Sequence, residues 1–128
     1  MALTFEQIKT EVTRLATDYP NAVYRKQAGF IAFKTCFYTI GKCGNGVGCI
    51  FGQALCNLDP TLRTKLVEVD RDDTTDSEIG TVLPRFGVVL TGEQSAWCTR
   101  VQSNQDSGST WSSAVRQAND SLVDGLVA

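Results

Sequence analysis

Histidine is missing from all 128 residues. Its absence removes the usual general base, the usual proton shuttle and the commonest metal ligand at once. Runs of positive charge are missing too. Twelve Lys and Arg face fourteen Asp and Glu, the formal charge is −2, and the densest basic spot is the pair Arg25-Lys26. Nucleic-acid binding requires a basic footprint, so no nucleic-acid partner is expected. Apolar runs such as "GVVL" are far too short to span a bilayer, and the start "MALTFEQIK" has neither the charged nor the apolar region of a secretion signal. The chain is therefore expected to stay in the cytoplasm, with no membrane partner. In that compartment five cysteines, an odd number, read as free thiols or ligands rather than as a disulfide framework.

What is present is ordinary for a folded protein. A hydrophobic share of 42% and a charged share of 20% argue against disorder, and the length supports one globular domain over 1–128 with no room for a second core. Thr4 with Gln7 forms a capping box at the start of a helix whose buried stripe is Phe5, Ile8, Val12, Leu15 and Tyr19, and Pro20-Asn21 ends it. The stretch "AVYRKQAGFIAFKTCFYTI" is rich in aromatic and β-branched residues around Ala28-Gly29, which predicts a hairpin from about Val23 to Ile40. A short helix is expected from Cys49 to Asn57, and another behind Asp59-Pro60 with Leu62, Leu66 and Val67 buried. Thr75 with Glu78 is a possible capping box before "IGTVL", which Pro84 breaks. Thr91 with Gln94 opens the next helix and Gly108 closes it. The last runs from about Trp111 to Val123. The expected class is α+β: a small antiparallel sheet with about five helices packed around it.

Candidate chemistry concentrates in "GKCGNGVGCIFGQALCNLDP", Gly41 to Pro60, with five glycines and three cysteines. Successive glycine amides before a helix can form an anion nest, so Gly44, Gly46, Gly48 and Cys49 are the candidate ligand-binding positions for a phosphate or nucleotide. The flanking segments do not supply the parallel strands or distal acid of a dinucleotide fold. A single metal cannot use both Cys49 and Cys56. Seven helical residues separate them by roughly 10 Å along the axis, whereas thiolates on one zinc lie about 4 Å apart. Cys36, Cys43, Cys49 and Cys98 have no C-x-x-C pair among them, and neither a metal nor a cofactor is expected. Cys49 at a helix N-terminus has the setting of an activated thiol, but no histidine exists to serve as its base. The bland alternative is that the glycines turn the chain and the thiols fill space. The acidic stretch Asp70, Asp72, Asp73, Asp76, Glu78 lacks the central glycine and terminal glutamate of a calcium loop and reads as a solvated turn.

"GCIFGQAL" followed by "WCTRVQSNQDSGSTWSSAVRQAND" resembles small uncharacterised proteins encoded by actinobacterial genomes and their phages. The resemblance implies a cytoplasmic accessory protein that binds a host component, and it assigns no activity to any residue. Read physically, Gln53, Gln102, Gln105 and Asp106 are a clamp on the Gly108–Thr110 corner, or else Gln53, Gln102 and Gln105 form a recognition patch with Trp97. Trp97 and Trp111 lie on helical stripes and read as core, one of them partly exposed toward a partner.

The expected function is therefore a non-enzymatic interaction protein whose partner is a host protein or a second copy in a homodimer. The expected partner surface is Tyr24, Phe37, Tyr38 and Trp97. The alternative is a small-ligand or nucleotide binder that uses the glycine-rich corner, and the weaker one an enzyme that uses Cys49.

Overall fold

The computed structural model describes residues 3–24, 38–39, 42–43, 46–71 and 78–127. Among them are six helices: α1 (Phe5–Asp18), α2 (Ile50–Leu58), α3 (Leu62–Arg71), α4 (Ile79–Arg85), α5 (Gly92–Asp106) and α6 (Trp111–Val127). The α+β expectation is corrected here. The only extended pairing among the described residues is a two-rung antiparallel ladder, Lys42 opposite Val47 and Cys43 opposite Gly46, which closes a turn and forms no sheet layer. Most of the expected hairpin, residues 25–37 and 40, lies outside the described residues. Its described members Val23, Tyr24, Tyr38 and Thr39 are irregular.

Two helices start as their own sequences dictate. Thr4 accepts from the Gln7 amide while Gln7 accepts from the Thr4 amide, and Thr91 and Gln94 repeat the arrangement at α5. Gly108, with φ of +99°, follows the C-cap residue Ser107 of α5 in the left-handed conformation that closes such ends. At α3, Asp59 Oδ1 accepts from the Thr61 amide at 3.1 Å and its hydroxyl at 2.6 Å, which fixes the turn ahead of the helix. Pro84 falls inside α4, which ends one residue later. The proline supplies no amide and crowds the preceding turn. The expected box at Thr75 lies outside the described residues, and Glu78 precedes α4 without a capping side-chain bond.

The other starts are completed by distant groups. Ile50 N of α2 donates to Gln105 Oε1 at 2.9 Å, and Ile79 N of α4 donates to Gln102 Oε1 at 2.8 Å. Trp111 N and Ser112 N of α6 donate to the Ala22 and Pro20 carbonyls at 2.9 and 3.3 Å. Each bond satisfies an amide that no intrahelical carbonyl can reach.

Helix α5 packs against α6, α4 and α2; α1 packs against α2 and α6, and α3 lies on α2. One apolar cluster joins all six helices, with Trp97, Trp111, Tyr38 and Phe51 its largest fully buried side chains. Trp97 takes the Phe5 and Phe51 rings edge-on, at 5.7 and 6.4 Å between centroids, and its Nε1 donates to Asn119 Oδ1 at 2.7 Å. The buried stripe of α5 alternates apolar and polar groups, Trp97, Cys98, Val101, Gln102 and Gln105, because the two glutamines are spent on other helices. Val69 rather than Val67 completes the buried side of α3. Among the described residues no helix is long and apolar enough to cross a membrane.

Candidate functional site

Tyr38 organises the glycine corner. Asp70, near the end of α3 and only 7% exposed, accepts from the Tyr38 amide, the Thr39 amide and the Thr39 hydroxyl at 2.8, 2.8 and 2.5 Å. The Tyr38 hydroxyl accepts from Gln102 Nε2 at 2.9 Å. Its carbonyl lies against Gly48 and Gly52. A Cβ at either position would stand 1.9 or 1.8 Å from that oxygen, and Gly48 also has φ of +95°. The glycines here therefore permit a close approach of backbone to backbone, a use of glycine that any side chain would prevent.

The candidate ligand positions are placed as follows. Gly44 lies outside the described residues, and Gly46 belongs to the two-rung ladder. The open face of Gly48 is filled by the Tyr38 carbonyl, while its own carbonyl accepts from Gln53 Nε2 at 3.1 Å. Cys49 is the residue ahead of α2 and is fully buried; the amide that follows it, Ile50 N, is bonded to Gln105. Gln53, Gln102 and Gln105 act as clamps, but on the starts of α2 and α4 and on Gly48 rather than on the Gly108–Thr110 corner. Asp106 accepts from Gln105 Nε2 at 2.7 Å and so orients that clamp.

Of the expected partner surface, Phe37 lies outside the described residues. Tyr24, Tyr38 and Trp97 are core residues at 7%, 0% and 0% exposure, because each packs its ring into the central cluster. Among the described residues no group of three or more acidic or cysteine side chains is arranged to hold a metal. Cys49, Cys56 and Cys98 are free thiols. Burial pushes Cys98 up to about 12 and raises Cys56 as well, which leaves both in the unreactive thiol form at neutral pH. The acidic stretch divides: Asp70 is a buried structural acceptor, Glu78 flanks α4, and Asp72, Asp73 and Asp76 lie outside the described residues.

An open feature lies elsewhere. A cleft of about 230 Å³ runs between the end of α2, the start of α3 and the end of α4. Its apolar lining is Leu3, Leu55, Leu62, Leu83, Phe86 and Val88, and Asp59, Thr61 and Lys65 supply the polar part. Lys65 Nζ stands 5.9 Å from the centroid of the Phe86 ring. Val89, next in the chain to Val88, is 88% exposed. Thr61's hydroxyl, then its amide, hold the Asp59 carboxyl below the usual carboxylate range. Periodicity could not single out this site, since its residues come from four segments and only Leu62 sits on a predicted stripe. The apolar "VVL" after Pro84 and Gly87 is the one local signal, and of its residues only Val89 is exposed.

No protein-family model, curated protein or solved structure matches this chain.

Proposed function

We propose that the protein is a non-enzymatic interaction domain whose partner is another protein, either a host component or a second copy of the chain. The observation that carries this reading is a solvent-open cleft whose lining includes Leu3, Leu55, Leu62, Leu83, Phe86 and Val88 beside Asp59, Thr61 and Lys65; Val89, the residue after Val88, is 88% exposed. Apolar side chains lining an open cleft can be buried against a partner's side chains. The polar groups of the glycine corner support the same reading, since the glutamines and Asp70 are committed to backbone amides and hydroxyls of their own chain. The compartment we propose is the cytoplasm, supported by the reduced, buried thiols of Cys49 and Cys98.

The test is affinity capture from an actinobacterial lysate beside a native mass measurement, with wild type and V89D in parallel. A stoichiometric protein partner or a dimer mass that V89D abolishes is the expected result. V89D retains the fold because the side chain it replaces is solvated. Stabilisation by a nucleotide in a thermal-shift panel, growing with the logarithm of its concentration, would overturn the reading in favour of ligand binding. Selective alkylation of Cys49 at neutral pH would redirect it to an enzyme.

A further inference from the structure

We draw no further inference here: the strongest candidate, the open cleft between the end of α2, the start of α3 and the end of α4, is lined by one cation, Lys65, and one carboxylate, Asp59, and nothing in the structure shows what covers it.

Discussion

Gly48 and Gly52 carry the tightest constraint at the scale of single residues. Helix propensity alone would reward Gly52→Ala by about 1 kcal/mol, since Gly52 lies inside α2. The Tyr38 carbonyl stands where the new Cβ must go, so G52A should instead destabilise by about 3 kcal/mol, the upper end of overpacking costs. Gly92, at the start of α5 with open space around it, is the control: G92A should be neutral or gain about 0.5 kcal/mol. Urea denaturation of the two variants reads the sign directly, and equal effects would contradict the close approach. Asp70 gives a second prediction. D70N keeps the shape but turns its side-chain NH2 toward either the Tyr38 or the Thr39 amide, which costs about 1–3 kcal/mol by chemical denaturation.

The elements divide by where their starts are finished. Helices α1 and α5 carry their caps in the adjoining sequence, and those caps were legible: T4A or T91A should each lose about 1 kcal/mol in thermal or urea melts. Helices α2, α4 and α6 borrow partners from elsewhere in the chain. Q105L leaves the buried Ile50 amide without an acceptor and should cost about 1–3 kcal/mol, and Q102L does the same at Ile79 while also releasing the Tyr38 hydroxyl. Those roles could not be read from sequence, because a buried glutamine on an otherwise apolar stripe has no spacing rule that names its acceptor. The glutamines were legible as clamps and illegible as to what they clamp. The hairpin expectation failed at its readable ends for a related reason. Aromatic and β-branched content measures the demand for burial, and Tyr38 meets that demand as a single irregular residue whose backbone is bound by the Asp70 carboxylate rather than by a neighbouring strand. Tyr24 repeats the lesson, since its type suggested a surface and its place is in the core; for Trp97 the helical stripe pointed to the core and the partner-surface expectation is the one that fails.

For the whole molecule, stability should respond to alkali through Cys98. Its folded thiol ionises at about 12 against an ordinary 9.0 because burial penalises the thiolate. Below pH ~9 the thiol is protonated in both states and its contribution is fully present. Between there and about 12 only the unfolded chain ionises at this position, and the folded state loses about 1.4 kcal/mol per pH unit. The difference between wild type and C98A in urea melts from about pH 8 to about pH 10.5 isolates this loss, since other titrating groups are common to both. A constant difference across that range would contradict the burial of the thiol.

The long reach of α5's glutamines also bears on how the chain is made. Ile50 and Ile79 leave the ribosome well before Gln105 and Gln102, and until those side chains emerge the two amides can be met only by water. The same late segment brings Trp97 and Trp111, around which the interior closes. A nascent polypeptide arrested short of residue 97 therefore has helices without their finishing bonds and an interior without its bulkiest members. Such a fragment should be cut rapidly by protease where the released, full-length product resists it. Assembly of this protein is in that sense governed by its last third.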